Sequence, residues 1–144
     1  KDLMGDEAFK KGLHTFMERW NGKRPLPWDM FNSFNNAGAG DHSWCFKNWF
    51  FGYNYMDLAV GDVRTDGGSH NVKVHNPGGM AMPFDLILNY ADGTSERVHR
   101  TPAAWQSDGG ATDVTVSNGK TLSAVTLDTG IFVDFNPKDN SWKQ

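Results

Sequence analysis

Five histidines, one cysteine and three late aspartates are the residues of this chain best suited to chemistry. A zinc hydrolase sets two His four apart on one helix face with a Glu between them. The histidines here do not comply. His14 and His42 fall on different predicted helices, and His70 and His75, on one predicted strand, have opposite parity and point to opposite faces. They read as solvent-facing or hydrogen-bonded side chains. Cys45 is the sole thiol, so neither an intrachain disulfide nor an all-cysteine metal site can form. It sits within an apolar helical stripe, where thiols are usually inert. No GxSxG occurs, and Gly38-Ala39-Gly40 does not complete a phosphate-binding glycine fingerprint. Asp128, Asp134 and Asp139 in LDTGIFVDFNPKDN could converge on a calcium ion, but they lack the EF-hand spacing, and turn and cap roles suit them better. The residues therefore assign no catalytic, cofactor-binding or metal-ligating position.

Aromatic rings are the other resource. The stretch GDHSWCFKNWFF places Trp44, Phe46, Trp49, Phe50 and Phe51 within Gly40 to Phe51. On a helical projection Cys45, Phe46, Trp49 and Phe50 form one stripe, with Trp44 and Phe51 together on nearly the opposite side. A groove-lining helix shows one aromatic face and one wet face, so two apolar faces argue for packing between two bodies. Trp105, just before the Gly-rich loop of TPAAWQSDGG, is the best single candidate for contact with a glycan or peptide. A Trp capping one end of a core is the commoner arrangement.

The elements that must position these residues change period near residue 53. Upstream, Phe9, Leu13, Phe16, Met17 and Trp20 predict a helix from Asp6 to Trp20, stopped by Asn21-Gly22 and the prolines Pro25 and Pro27. A second helix is predicted from Pro27 to about Asn36, ended by Gly38-Ala39-Gly40, and a third begins after Asp41 or Ser43. Downstream, alternation at Met56-Leu58-Val60, Val72-Val74, Phe84-Leu86-Leu88-Tyr90 and Val114-Val116 predicts strands. Asp92-Gly93 and Asn118-Gly119 supply tight hairpin turns. A parity change places a bulge near Ala124. The fold class is α+β: a short helical segment, residues 1–52, followed by an antiparallel immunoglobulin-like β-sandwich of about seven strands, residues 53–144.

The 14 Lys plus Arg against 17 Asp plus Glu give a net charge of −3, with no run of like charge, so neither nucleic acid nor a membrane surface is an expected partner. No apolar stretch approaches the roughly 18 residues of a membrane span. A start at Lys1 is what a fragment or processed product shows, so a longer parent is expected.

Read in order, Glu18-Arg19-Trp20, Pro25-Leu26-Pro27-Trp28-Asp29-Met30-Phe31, and Asp41 through Trp44 to Trp49-Phe50 resemble the region beyond the catalytic site in aminopeptidase-N-like gluzincin zinc metallopeptidases. NVKVHNPGGMAMPFDLILNYADGTSERV and VTLDTGIFVDFNPKDNSW are similar to the C-terminal β-domain of bacterial members. The resemblance spans nearly the whole chain. It implies a non-catalytic C-terminal portion of a zinc-dependent aminopeptidase that cleaves N-terminal residues from peptides. The implied partners are the remainder of the parent and its peptide substrate. It also implies zinc in the parent, none in this chain, and an exported location. The family's HExxH helix, its downstream Glu ligand and its transition-state Tyr map onto no residue here. On this resemblance the ring-rich helix is a joint, packing Trp44, Phe46, Trp49, Phe50 and Phe51 between the helical region and the sandwich. The rival reading is a free-standing binding or adhesion module.

Overall fold

In this computed structural model, which describes residues 1–38 and 40–144, helix α1 runs Asp6–Trp20, with Asp6 and Glu7 where a helix N-terminus favours negative charge. Gly22, at φ 70°, turns the chain away after the helix ends. Helix α2 (Pro27–Asn35) starts with Pro27 in its first turn, and the Asp29 carboxylate accepts the Leu26 N–H at 2.8 Å. Helix α3 (Ser43–Phe50) follows a turn in which Asp41 Oδ1 accepts the Ser43 N–H at 2.9 Å. Asn35 reaches the same turn, accepting the His42 N–H at 3.0 Å. Ala39, within the stretch expected to end α2, lies outside the described residues.

Helix α1 meets α2 through a glycine. Gly12 is buried, and a Cβ there would lie 2.7 Å from Phe34 Cδ1. This close approach, joined by the Phe9–Phe34 ring contact at 5.4 Å, turns the Leu13–Met17 side of the stripe outward. Phe31, Ser33 and Phe34 of α2 are buried.

Residues Lys1–Gly52 form one compact unit and Tyr53–Gln144 a second. The second unit is a β-sandwich. Strands β1 (Ala59–Asp66), β2 (Ser69–His75) and β5 (Ala111–Ser117) make one antiparallel sheet in the order β1-β2-β5. Strands β3 (Phe84–Tyr90), β4 (Ser95–Arg100), β6 (Leu122–Asp128) and β7 (Ser141–Lys143) make the other, in the order β4-β3-β6-β7. In immunoglobulin lettering this is A-B-E with C′-C-F-G. β3 alternates without a fault, burying Phe84, Leu86, Leu88 and Tyr90. Val72, Val74, Val114, Leu122, Val125 and Leu127 complete the core from their own strands. Among the described residues no helix is long and apolar enough to cross a membrane.

Two expectations about the strands need correction. Met56 and Leu58 precede β1 rather than belonging to it, because their backbone bonds go to loop residues instead of a neighbouring strand. Asn118-Gly119 does not close a hairpin, since β5 pairs with β2 and β6 with β3, so that turn carries the chain from one sheet to the other. The bulge expected near Ala124 is present, at Ser123, which is skipped between the Asn89–Ala124 and Tyr90–Leu122 pairs.

Candidate functional site

Three carboxylates gather where the chain enters the sandwich. Residues 55–58 carry Tyr55, whose N–H donates to Gly78 O at 3.0 Å, and Met56, whose carbonyl accepts the Phe135 N–H at 2.9 Å. Val60 N donates to Asp139 O at 2.9 Å, tying the start of β1 to the loop between β6 and β7. Gly78 permits this crossing. A Cβ there would collide with Tyr55 O and lie 2.9 Å from Asp57 Cβ, so the position needs glycine for close approach rather than for its φ angle.

The result is a cluster of Asp57, Asp134 and Asp139, in which one carboxylate oxygen from each lies within 4.8 Å of the others. Asp134 is oriented by two backbone donors: Leu58 N to Oδ2 at 3.0 Å and Asn136 N to Oδ1 at 2.9 Å. Asp139 Oδ2 accepts from Asn136 Nδ2 at 2.6 Å. Asp57 is 7% exposed, and burial pushes its carboxyl above the usual range. The charges of Asp134 and Asp139 push it further, against a lowering contribution from the Asn136 N–H. Among the described residues no Lys or Arg pairs with any of the three. Three acids in one enclosure, all acceptors when ionised, can hold a cation or share protons.

Asp134 and Asp139 are two of the three late aspartates for which the sequence favours turn and cap roles over a shared ion. Asp128, the third, faces elsewhere: Arg97 Nη1 donates to it at 2.8 Å and its Oδ1 accepts the Gly130 N–H at 2.9 Å, the cap role expected. Asp57 was missed. The available signal was an acid set between Met56 and Leu58 in an otherwise apolar run.

Trp105, the candidate for glycan or peptide contact, takes the commoner core-capping arrangement instead. It closes a 3₁₀ turn (Pro102–Trp105), is 3% exposed, donates from Nε1 to Met82 O at 2.6 Å and packs on Phe84 with ring centroids 5.4 Å apart. A ring so enclosed offers no face to a glycan or peptide; it caps the core.

The α3 rings also differ from their projection. Phe46 stacks on Phe31 at 4.6 Å, Phe50 lies 5.1 Å from the same ring, and Phe51 meets it edge-on at 6.0 Å. Phe51 does not join Trp44 on an opposite face, because it is the C-cap (φ −128°, ψ 11°) and leaves the helical path. Its ring stacks instead on Trp28, centroids 4.7 Å apart and planes 2° from parallel. Trp44, Phe46 and Trp49 are half-buried, and Phe50 and Phe51 are exposed, so no α3 residue is fully buried.

Cys45 is half-buried, and burial raises its thiol pKa. His14 and His75 are exposed, while His42 and His70 are buried; His70 Nδ1 lies 3.3 Å from Thr65 Oγ1. His99 pairs with Asp85 at 2.5 Å on the outer face of the four-stranded sheet. These residues do not converge. Comparison with protein-family models and with curated proteins finds no match to this chain.

Proposed function

We propose that this chain is the non-catalytic C-terminal portion of a zinc-dependent metallopeptidase of aminopeptidase-N-like kind. In this reading Lys1–Gly52 is the tail of the catalytic region and Tyr53–Gln144 a terminal sandwich. The observation that carries the reading is an uncovered aromatic face on residues that also carry the resemblance. Trp28 and Phe51 are stacked on each other, yet are 55% and 51% exposed. Leu26 and Phe50, next to them along the chain, are 65% and 58% exposed. Apolar surface of this kind is normally covered by partner protein, and the remainder of the parent supplies that cover. The parent's implied reaction is attack of a zinc-activated water on a peptide carbonyl, with a Glu as general base. This chain contributes no group to that step; it buttresses the region that does.

The rival, a free-standing binding module, loses its best ring with the burial of Trp105. Reading the coding sequence upstream of Lys1 tests the proposal. An HExxH followed by a downstream Glu supports it, and an upstream region without that pattern overturns it. In the parent, a soluble quencher should reach Trp28 far less than in the isolated chain.

A further inference from the structure

We propose that Asp57, Asp134 and Asp139 bind a divalent cation of the calcium class at the end of the sandwich where β1 begins. Acids gather on protein surfaces without an ion, so the cluster alone would carry little. The second observation is Asp57 itself, more than nine-tenths buried, with an Oδ1 that is shielded from solvent and has no hydrogen-bond partner. Its carboxylate converges on those of Asp134 and Asp139. Asp139 Oδ1 and Asn140 Oδ1 are orphaned in the same way. An unpaired buried acceptor is costly, and an unpaired buried carboxylate more so. The nearby donors are already committed, Leu58 N and Asn136 N to Asp134 and Asn136 Nδ2 to Asp139. What the orphaned oxygens lack is positive charge.

Donor chemistry and spacing choose the ion. An all-oxygen set favours a hard cation over zinc, which prefers His and Cys. Calcium binds oxygen at about 2.3–2.6 Å, so two ligands on opposite sides sit up to about 5 Å apart, while magnesium draws them to about 4 Å. Oxygens within 4.8 Å of one another fall inside the span that calcium's flexible coordination accepts. The ion also has something to hold. In the β6–β7 loop Ile131, Val133 and Phe135 are 90%, 88% and 77% exposed, so apolar burial does little to anchor that segment. A cation shared by Asp57 and the two loop aspartates pins it to the entry of β1. This inference is independent of the peptidase reading.

Calorimetric titration of the chelator-treated chain, paired with thermal unfolding, provides the test. Calcium chloride should bind at one ion per chain with Kd in the range of about 10⁻⁵–10⁻³ M, and magnesium more weakly. About 5 mM calcium should raise Tm by about 5 °C. Asp57→Asn and Asp139→Asn should each weaken calcium binding by about tenfold or more, with the far-ultraviolet circular dichroism of the wild type. Asp139, the more accessible of the two, keeps the test valid if Asn at position 57 does not fold. Absence of both heat and Tm shift at millimolar calcium overturns the proposal, as does unchanged affinity in the folded variants. Magnesium binding as tight as calcium overturns the choice of ion.

Discussion

The Trp105 indole donates from Nε1 to the carbonyl oxygen of Met82 at 2.6 Å, joining the connection between β4 and β5 to the segment that leads into β3. Both residues are almost wholly buried, so the bond has no water to replace it. Trp105→Phe keeps most of the packing on Phe84 but strands the Met82 carbonyl, and should cost about 1–3 kcal/mol. Trp105→Ala adds a cavity and should cost about 3–5 kcal/mol. Urea unfolding distinguishes the two. Equal, small losses would contradict the core-capping role.

In the helical unit, Phe31 is the ring that the others share. It is 4% exposed and touches Trp28, Phe46, Phe50 and Phe51. Phe31→Ala should destabilise this unit by about 3–5 kcal/mol. Phe51→Ala removes a half-open ring and should cost about 1 kcal/mol. Loss of helical ellipticity against denaturant gives both values.

Much of this architecture was legible because period and terminators agreed. The α1 stripe between an acidic start and Asn21-Gly22 gives the observed Asp6–Trp20, and strict alternation from Phe84 to Tyr90 gives β3. What was not legible depends on contacts distant in sequence. Asn118-Gly119 has hairpin chemistry, yet which sheet receives β6 is decided by pairing with β3. The hairpin at Gly67-Gly68, which does join β1 to β2, lacked a clean apolar run on its first strand, where Val63 is the main apolar residue after Val60. The carboxylate cluster draws Asp57 and Asp134 from far apart along the chain, and no local pattern announces such a meeting. Phe51 was misplaced because a helical projection fails at the C-cap.

Acid should unfold the sandwich through its outer charges. At Asp85 burial raises the pKa, but hydrogen bonds from Arg97 and His99 more than offset it, and the net shift is downward. Asp128 is lowered first by the Gly130 N–H and then by Arg97. Asp92 is lowered to about 2, chiefly by the Thr94 hydroxyl and then by the Thr94 N–H. Depressed carboxyl values contribute stability that is full above the unfolded value of about 3.9 and is lost as pH falls through the folded ones. Tm should therefore fall steeply between about pH 4 and pH 2. Arg97→Gln and Asp92→Asn should each flatten that fall by lowering Tm modestly at pH 7, since these groups are exposed, and leaving it nearly unchanged near pH 2. A slope unchanged in both variants would show that other carboxyls govern acid unfolding.

The sandwich should fold without the helical unit. Its seven strands, both sheets, the Trp105 cap and the bonds that secure residues 55–60 to the β6–β7 loop all lie between Tyr53 and Gln144. Its core residues, from Leu58 to Leu127, all belong to the second unit, most of them on strands of its two sheets. Each sheet has three or more strands, the number at which a sheet with an apolar face becomes stable. A polypeptide beginning at Tyr53 should give β-type circular dichroism and one cooperative thermal transition. The midpoint of the sandwich transition in the full chain should lie close to it, because the buried strand residues belong to the second unit. A molten product with no near-ultraviolet signal would show that the helices complete the sandwich core.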